Sequence, residues 1–540
     1  MINYVDGIKG RGPFQKTAAG TIPNILMISF DMVPREFYLP QKGDLVPRTP
    51  NLDKLKQDGL FFSNAYSVSP LCAPSRAALF TGRYPYIVAN NERYHDGQQA
   101  HLREDDTVFQ EYLRAAGYRT RHFGKCHVGA TKFIAAFGEN DAPWDRWSPP
   151  WQDDDGYRDF LLRKGIQDFR FSREIRGASP AGKGQGNFYG GWVCAGDGSP
   201  FLKDGTYPAY TTGMALAQLE NRSGDSRPFY LQIDYFEPHQ PFFIPTGFEE
   251  RERELRAVLS MPASWEAAAF GNPESPLPLI YSRYRDYWGI RDRKIAEDYL
   301  VANVLQYEIL DEQIGRILEC LKKTGLYDQT MIVLTADHGE MNCREALVDK
   351  GSYLNPRVLQ VPIYLKLPMA FQHTVSGTGA ANVPPIVASP GSVIDRLCSL
   401  LDIAPTILAA AGIRAEARFD GQSLLEEGNG SRKLLAESFS HVLPNPAVCL
   451  VRQEGNETEM YTVNFADRVN ESYCRGKDGV WPEKNNVPPE GAGPQFAGIV
   501  RDMMDFFNAD ERWSAYGAYL KLIHADLLGI SSDMQRFVSR

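Results

Sequence analysis

The sequence predicts an α/β protein in which a large, mostly parallel β-sheet is sandwiched by helices, with a smaller C-terminal subdomain that carries an antiparallel sheet. Two observations predict the main sheet. Short apolar segments, typical of buried strands, recur along residues 20–415, and amphipathic helical segments lie between them. Such an alternation is typical of a parallel sheet covered by helices on both faces. The alternation is lost after about residue 430, which predicts a separate C-terminal subdomain.

Four apolar segments are predicted to be buried strands of the main sheet. They are NILMISF (24–30), FYLQIDY (229–235), TMIVLT (330–335) and PIYLKL (362–367). The helix before the third segment has the clearest pattern, because apolar residues recur at helical spacing from Leu310 to Leu321 and Gly325 follows as a stop signal. Near the C-terminus, residues 447–465 predict two antiparallel strands joined by a polar turn, and residues 511–528 predict a helix.

We divide the chain into a main domain over residues 1–430 and a smaller subdomain over residues 431–540. Residues 140–290 are rich in Trp, Tyr, Pro and Gly, and we interpret much of this stretch as long insertions into the main domain. Core packing is the expected role of the tryptophans here, and the alternative is a role in lining a pocket. These tryptophans are Trp144, Trp147, Trp151 and Trp192.

The composition is that of a large globular protein. The chain has 540 residues, of which 43% are hydrophobic, enough for a core larger than one ordinary domain holds. The net charge of −9, from 58 basic and 67 acidic residues, disfavours nucleic acids and anionic membrane surfaces as partners. The sequence has no run of about 18 apolar residues, no apolar secretory segment at its start and no C-x-x-C motif. We therefore expect a cytoplasmic protein with reduced thiols and no membrane span.

Polar residues follow two of the predicted strands at the point where each strand ends. Asp31 comes directly after the first apolar segment, and Asp337 and His338 follow the third. Open parallel sheets place their sites beyond the carboxyl ends of strands, and hard divalent cations bind carboxylate oxygens. Each aspartate alone is more typical of a helix N-cap. The pair, with a histidine adjacent, predicts a shared metal site.

A cysteine lies where a helix is predicted to begin. The segment SPLCAPSRAALFTGRYP spans residues 69–85, and Pro74 suits the first helical position because its missing N–H costs nothing there. Cys72 is therefore expected at or just before a helix N-terminus, where free backbone N–H groups favour negative charge. Arg76 adds a fixed cation. This arrangement predicts a nucleophile, and the alternative is a small buried thiol.

Further cationic and imidazole groups follow other strand-like segments. Lys125 and His127 lie two residues apart after a short predicted strand, and His239 lies between two prolines that stiffen its loop. Lys350 lies thirteen residues after Asp337. A lone histidine is more often structural and a lysine more often solvated, so these four residues become candidates only as a set.

Several segments of the chain together match the motifs of one enzyme family. The segment CAPSRAALFTGR, residues 72–83, matches the signature C-x-P-S-R followed by T-G-R. Other matching segments are TPNLDKLKQDGLFFSNAYS, GKCHVG, EPHQPF, DEQIGRILECLKKTGLYDQTMIVLTADHGEM, LQVPIYLK and SLLDIAPTILAAAGI. The chain thus resembles the formylglycine-dependent sulfatases of the cysteine type, within the alkaline phosphatase superfamily. The resemblance covers roughly residues 22–425 and implies an alkaline-phosphatase-like fold, with a catalytic sulfatase domain in residues 1–430.

The resemblance implies a sulfuric ester hydrolase of the EC 3.1.6 type, which cleaves sulfate monoesters. It implies that a separate maturation enzyme, which recognises C-x-P-x-R, oxidises Cys72 to formylglycine (3-oxoalanine). One oxygen of the hydrated aldehyde then attacks sulfur, and Asp337 would accept its proton. One divalent metal ion is implied, with Ca²⁺ expected and Mn²⁺ as the alternative. Its implied ligands are Asp31, the modified Cys72, Asp337 and His338.

The resemblance also implies roles for the remaining polar groups. Arg76 would steady the hydrated aldehyde, while Lys125, His127 and Lys350 would bind sulfate oxygens. His239 would bind next to the leaving group and donate a proton to it. His127 would take a proton from the second hydroxyl when sulfate is expelled.

The sequence leaves a second reaction of the same superfamily open. Asp31 is followed by Met32 where many sulfatases carry a second aspartate, which favours a phosphonate monoester or phosphodiester hydrolase. The pair Lys125 and His127 favours a sulfatase. A non-catalytic, anion-binding relative is disfavoured because every expected catalytic position is filled. Residues 342–343 depart from the family pattern, which predicts a local difference in that loop.

Three substrate classes remain open: carbohydrate sulfates, aryl sulfates and small alkyl sulfates. We expect specificity to depend on residues 140–290 and on the C-terminal segment, because these parts resemble the family least. The sequence also leaves a homo-oligomer open.

Overall fold

The computed structural model describes residues 22–509 except a set of gaps, together with residues 517 and 524. The gaps are residues 86–100, 138, 141–143, 178–185, 222–224, 271–276, 289, 373–387, 427–431, 466–470, 478–480 and 482–493. The helix predicted over residues 511–528 falls outside the described residues apart from those two positions.

The strands form three separate sheets. They are β1 (Asn24–Asp31), β2 (Leu60–Tyr66), β3 (Arg119–Gly124), β4 (Glu139–Asn140), β5 (Phe169–Arg176), β6 (Phe188–Ala195), β7 (Phe229–Pro238), β8 (Phe242–Pro245), β9 (Thr330–Ala336), β10 (Gln360–Lys366), β11 (Val393–Ile394), β12 (Cys398–Ser399), β13 (Lys433–His441), β14 (Leu443–Glu454), β15 (Glu457–Asn464) and β16 (Glu471–Lys477). All four predicted apolar segments lie in strands of the main sheet, in β1, β7, β9 and β10.

The main sheet has nine described strands and is mostly parallel. Its order is β11-β2-β10-β9-β1-β7-β3-β4, and β12 also pairs with β2. Strands β9, β1, β7, β3 and β4 run parallel to one another, whereas β10 is antiparallel to both β9 and β2. Every residue of β1, β7 and β9 is buried. Burial on both faces explains why these strands are continuous apolar runs, and the predicted fold class is confirmed.

Helices flank the main sheet, and the last of them packs on the C-terminal sheet. They are α1 (Pro50–Asp58), α2 (Cys72–Thr81), α3 (Phe109–Ala115), α4 (Ala130–Ala135), α5 (Asp155–Arg163), α6 (Tyr207–Glu220), α7 (Glu249–Val258), α8 (Ala263–Phe270), α9 (Leu279–Trp288), α10 (Arg293–Lys323), α11 (Pro356–Leu359), α12 (Met369–Gln372), α13 (Ile403–Ala410) and α14 (Pro494–Ala509). The helix with the clearest sequence pattern is α10. Asp292 caps its first turn by accepting a hydrogen bond from the N–H of Ile295, and Gly325 follows its end with a φ of 69°.

The C-terminal part contains the predicted antiparallel sheet. Strands β13, β14, β15 and β16 pair in sequence order, and the two strands predicted in residues 447–465 are β14 and β15. One face of this sheet packs against α14 through a cluster that includes Val448 and Ile499. The other face packs against the main part through a cluster that includes Leu359 and Val451. The domain boundary at residues 430 and 431 stays a prediction, because it falls within the gap at residues 427–431.

Residues 140–290 supply a small sheet and several helices beside the main sheet. Strand β7 belongs to the main sheet, whereas β5, β6 and β8 form a three-stranded sheet of their own. Aromatic side chains of this region form a separate buried cluster around Tyr157, Tyr207 and Phe236. Within the described residues, none of the helices combines the length and the apolar character that a membrane span requires.

Candidate active site

The carboxyl ends of two neighbouring strands bring the predicted acidic residues together. Strands β1 and β9 run parallel with Phe30 paired to Ala336. Asp31 is the last residue of β1 and Asp337 follows β9, so that both lie at the same edge of the sheet. The N–H of Asp337 donates to the carbonyl oxygen of Phe30 at 3.1 Å. Both carboxylates are completely buried.

Helix α2 brings Cys72 to this pair of carboxylates. Cys72 is the first helical residue, so the helix begins two residues before Pro74, the predicted start. Proline fits the third position as well, because the first N–H groups of a helix have no partner within it. The Cys72 Sγ lies 3.6 Å from Asp31 Oδ1 and 3.2 Å from His338 Nε2. The side chain of Cys72 is completely buried.

His338 completes a compact set of possible metal ligands. Its Nδ1 lies 2.9 Å from the Gly339 carbonyl oxygen, which only accepts, so Nδ1 carries a hydrogen. Its Nε2 faces Asp31 Oδ1 at 3.6 Å. Donor atoms of Asp31, Cys72, Asp337 and His338 all lie within 4.8 Å of one another. Burial acts to lower the pKa of His338, yet Asp337 and Cys72 raise it to about 9. The cluster therefore attracts positive charge.

Two buried cations lie behind this cluster. The Arg76 Nε donates to Asp337 Oδ2 at 2.8 Å, and its Nη1 donates to the Lys125 carbonyl oxygen at 3.0 Å. The Lys125 ammonium donates to Asp31 Oδ2 and, at 3.1 Å, to the carbonyl oxygen of Trp147. Burial acts to raise the pKa of Asp31, but the charge of Lys125 leads the neighbours that hold it well below its usual value. Asp31 is therefore ionised, and Lys125 and Arg76 supply positive charge behind the two aspartates.

A second pair of groups, Lys350 and His239, faces the cluster from other loops. The Lys350 Nζ lies 2.5 Å from His239 Nε2 and 3.1 Å from Asp349 Oδ1. The His239 Nδ1 donates to the Gln240 carbonyl oxygen. Burial and the charge of Lys350 lower the pKa of His239 to about 3. His239 is therefore a neutral imidazole that accepts a hydrogen bond from Lys350.

His127 lies at the edge of the same group of charges. It is half-buried, and its backbone has a φ of 53°. Burial, followed by the positive charges of Lys125 and Arg76, lowers the pKa of His127 well below its usual value. The structure therefore places all nine predicted site residues in one region, and His127 is the member for which no hydrogen bond is described.

The C-terminal sheet is hydrogen-bonded to the loop that carries Lys350. Ser352, two residues after that lysine, donates through its Oγ to the Leu443 carbonyl oxygen at 2.7 Å. Its N–H donates to the Tyr284 hydroxyl at 2.9 Å, and that hydroxyl donates to the carbonyl oxygen of His441. Asn445 Nδ2 donates to the carbonyl oxygen of Ser352. The corner between β13 and β14 is thus hydrogen-bonded to the loop of Lys350.

The family model that matches this chain is described as Sulfatase, and it covers residues 23–413. That span is more than half of the chain and includes every site residue described above. The chain belongs to the sulfatase family. The predicted family is therefore confirmed, and membership supports the predicted enzyme class, a sulfuric ester hydrolase.

Individual relatives are distant but match over most of the chain. The uncharacterized sulfatase YidJ of Escherichia coli is 25% identical over 380 residues, which are 70% of this chain and 65% of that protein. The iduronate 2-sulfatase of Homo sapiens is 25% identical over 415 residues, 70% of this chain and 67% of that protein. This chain therefore spans about two thirds of the length of these relatives. The phosphonate monoester hydrolase from Silicibacter pomeroyi has a similar structure, with a TM-score of 0.64, 19% identity and coverage of 90% of this chain and 95% of that chain.

In this member of the sulfatase family, a buried carboxylate behind the site was not predicted from the sequence. Asp234 lies in β7 and accepts hydrogen bonds from Ser29 Oγ at 2.5 Å and from Gln232 Nε2 at 2.6 Å. The His122 Nε2 lies 2.8 Å from its Oδ2, and the Arg76 Nη1 lies 4.0 Å from its Oδ1. A signal exists in the sequence, because Gln232 and Asp234 interrupt an apolar strand at the period of two that marks one face.

Asp349 is a second buried carboxylate beside the candidate site that the sequence did not single out. It accepts a hydrogen bond from Gln240 Nε2 at 2.6 Å, from the N–H of Lys350 at 2.7 Å and from the Lys350 ammonium. It thus ties the loop of His239 to that of Lys350. The departure from the family pattern at residues 342–343 coincides with left-handed backbone, with φ of 44° at Asn342 and 66° at Cys343.

Proposed function

We propose that this protein hydrolyses sulfate monoesters, with formylglycine made from Cys72 as the nucleophile and one divalent cation beside it. The observation that carries the proposal is the buried cluster of Asp31, Cys72, Asp337 and His338, whose donor atoms lie within 4.8 Å of one another. The cluster lies at the first turn of α2, where the helix dipole favours a negatively charged oxygen.

The donor set fits a divalent cation. Two aspartate side chains supply the hard oxygen ligands that Ca²⁺ and Mn²⁺ bind, and the hydrated form of residue 72 would add another oxygen. The Gly339 carbonyl oxygen holds His338 in the tautomer whose Nε2 faces the cluster. When bound, the cation would lower the pKa of a ligated hydroxyl and offset charge on sulfate oxygens. We propose Ca²⁺ as the ion, with Mn²⁺ as the alternative.

The cations of this chain fit the binding of a dianionic head group. Lys125 and Lys350 are completely or almost completely buried, and each already faces an acidic partner. Their ammonium groups would bind sulfate oxygens together with His127, while Arg76 would hold Asp337 and residue 72 in place. Preorganised donors of this kind stabilise the charge that develops on the equatorial oxygens in the transition state.

His239 is the group best placed to transfer a proton to the leaving alcohol. Its Nε2 faces the Lys350 ammonium at 2.5 Å, and its other nitrogen is held by the Gln240 carbonyl oxygen. We propose that the Lys350 ammonium gives a proton to His239 Nε2, that His239 passes this proton to the leaving oxygen, and that Lys350 then regains a proton from water. His127, which is neutral in the free protein, would act as the base for the second hydroxyl of residue 72.

Sulfated carbohydrates are the substrate class that the relatives support, since one of them is named as an iduronate 2-sulfatase. Cleavage of a phosphonate monoester is the second candidate function. Met32 stands where a second carboxylate would, and its Sδ lies 3.9 Å from Lys350 Nζ. A structural neighbour named as a phosphonate monoester hydrolase shares the fold. The pair Lys125 and His127 favours the sulfate ester.

Two measurements test the proposal: the mass of the peptide that carries Cys72 and the rate of hydrolysis of sulfate and phosphonate esters. The purified protein should show a loss of about 18 Da on the peptide that carries Cys72, the difference between a thiol and an aldehyde. It should hydrolyse 4-nitrophenyl sulfate faster than a phenyl phosphonate monoester. Cys72→Ala should abolish both activities, whereas Cys320→Ala, at a buried position near the end of α10, should keep them. An oxidised Cys72 without turnover of any sulfate ester would refute the proposed reaction.

The partner and the location remain predictions. The C-x-P-x-R motif predicts a maturation enzyme as partner, and the composition of the sequence predicts a cytoplasmic location. Detection of the modified peptide only in cells that contain such a maturation activity would support the first prediction, and fractionation of those cells would test the second.

A further inference from the structure

We infer that the indole of Trp147 is a platform on which a ring-shaped leaving group of the substrate stacks. The inference rests on the proposed hydrolysis of sulfate esters and names the class of alcohol that the site releases. A pyranose and an aromatic ring share a flat apolar face, which is the chemistry that an indole face binds. A small alkyl group lacks such a face.

Trp147 differs from the other tryptophans of its segment in its exposure. Its relative exposed area is 48%, whereas Trp144 and Trp192 are buried at 9% and 6%. Trp151 is half-buried. Within the part of the chain that the structure describes, Trp147 is the tryptophan found among the exposed large apolar side chains. The expectation of core packing therefore holds for Trp144 and Trp192 and is wrong for Trp147.

The exposed indole lies directly beside the proposed proton donor. The centroid of the Trp147 ring lies 6.2 Å from that of His239 and 6.3 Å from that of Phe236. Phe236 is buried and stacks on His239, with ring centroids 4.9 Å apart and planes inclined by 25°. Phe236 thus fixes both rings on one side, and the indole keeps its exposed surface.

The backbone of Trp147 is tied to the anion-binding groups. Lys125 Nζ donates to the Trp147 carbonyl oxygen at 3.1 Å and to Asp31 at the same time. The next residues along the chain, Ser148 and Pro149, are buried. The backbone of Trp147 is therefore held beside Lys125, and the ring contacts with Phe236 and His239 orient the indole, as a preorganised binding surface requires.

The geometry of proton donation places the leaving group on this side of the site. A proton donor must lie within hydrogen-bond reach of the leaving oxygen, so the alcohol part of the substrate extends past His239. The exposed indole beside His239 is the apolar surface that this part of the substrate meets. A ring covers an indole face and removes more apolar area from water than an ethyl group does.

Three variants and three substrates test the inference. The substrates are 4-nitrophenyl sulfate, glucosamine 6-sulfate and ethyl sulfate. Trp147→Ala should lower kcat/KM for at least one ring sulfate about ten- to hundredfold, mainly through KM, and for ethyl sulfate less than about threefold. Trp147→Phe should restore most of the loss, because a phenyl ring also stacks. The ring sulfate whose kcat/KM falls most shows whether the indole binds an aromatic ring or a pyranose.

Trp151→Ala is the control for packing. Trp151 also packs on Phe236, with ring centroids 6.0 Å apart, so its removal disturbs the same support without removing the platform. It should leave the ratio of ring to ethyl sulfate unchanged. Equal losses for all three substrates in Trp147→Ala, a ring-selective loss in Trp151→Ala, or an unaltered protein that prefers ethyl sulfate would each overturn the inference and leave the proposed hydrolysis standing. An unaltered protein with oxidised Cys72 that cleaves none of the three sulfates would instead refute the proposed function.

Discussion

Replacing His239 by glutamine should separate substrates according to their leaving groups. His239 is 3% exposed, and its Nε2 accepts from the Lys350 ammonium while its Nδ1 donates to Gln240. Burial and the charge of Lys350 lower its pKa to about 3. Glutamine is also neutral and offers Lys350 an acceptor, but it does not pass a proton to a leaving oxygen. The substitution therefore removes proton donation and leaves a neutral acceptor beside the charged Lys350.

The size of the effect depends on the alcohol that leaves. An alkoxide needs a proton, and loss of a positioned donor lowers the rate about 10²–10⁴-fold. At about 1.4 kcal/mol for each factor of ten, this loss is about 3–5 kcal/mol of barrier. 4-Nitrophenolate is stable as an anion, so the loss for 4-nitrophenyl sulfate should stay below about tenfold.

The assay compares three proteins: the unaltered protein, His239→Gln and His524→Gln. For each, kcat and kcat/KM are measured with an alkyl sulfate and with 4-nitrophenyl sulfate. His524 lies beside Tyr461 in the C-terminal part, so its variant should behave as the unaltered protein. Equal losses for the two substrates in His239→Gln would refute the assignment of His239 as proton donor. Because its pKa lies far below neutrality and a bound cation lowers it further, His239 should cause no inflection of kcat/KM between about pH 5 and 8.

Three further predictions follow from buried groups. Because Cys72 and Arg76 are both completely buried, a maturation enzyme should oxidise the unfolded chain or a peptide with this motif and leave the folded, unmodified protein unchanged, as mass spectrometry would show. Burial lowers the pKa of Lys366 to about 8, below its unfolded value, so the charged form is disfavoured in the fold. The free energy of unfolding should therefore rise relative to Lys366→Met as pH increases from about 8 to 10.5, by on the order of 3 kcal/mol. Arg432 Nη2 donates to Asp402 Oδ1 at 2.7 Å, and Asp402 is fully buried, so Arg432→Met should lower the free energy of unfolding by about 3–5 kcal/mol in urea titrations.

The outcomes that would contradict these predictions are specific. Oxidation of the folded protein at the rate of the peptide would mean that the motif becomes accessible in the native state. A difference between the protein and Lys366→Met that is independent of pH would mean that Lys366 titrates normally. A urea midpoint of Arg432→Met equal to that of the unaltered protein would show that the ion pair carries no stability. Arg432→Lys, which keeps the charge, measures the share of the bidentate geometry.

Much of the sheet and most of the candidate site could be predicted from the sequence. The central strands are buried on both faces, so their apolar runs are unbroken, and parallel strands place Asp31 and Asp337 at one edge. Such patterns can be recognised from neighbouring residues alone, without knowledge of contacts with residues far away in the chain. The register that places Cys72 beside His338 could not be derived in this way, because the contact joins residues that are 266 positions apart.

The parts that were missed depend on partners far away in the chain. Asp234 sits in an apolar strand, and its acceptor role is set by Ser29, 205 positions away, and by His122, 112 positions away. The exposure of Trp147 could not be told from that of Trp144, because both lie in the same aromatic stretch and both pack on Phe236. Trp144 also packs on Tyr207 and is buried, and the sequence pattern does not show this contact. Sequence pattern gives residue type and local period, whereas exposure is decided by tertiary contacts.

The hydrogen bonds from Ser352 to Leu443 and from Asn445 to Ser352 couple the C-terminal sheet to the position of Lys350. If the hairpin corner between β13 and β14 opened locally, the loop of Lys350 would lose its anchor and the ammonium would drift from His239. A molecule that bound under this corner and opened it would inhibit the enzyme without contacting the proposed sulfate-binding residues. Its inhibition would persist at saturating substrate, which makes this hairpin a site for allosteric inhibitors.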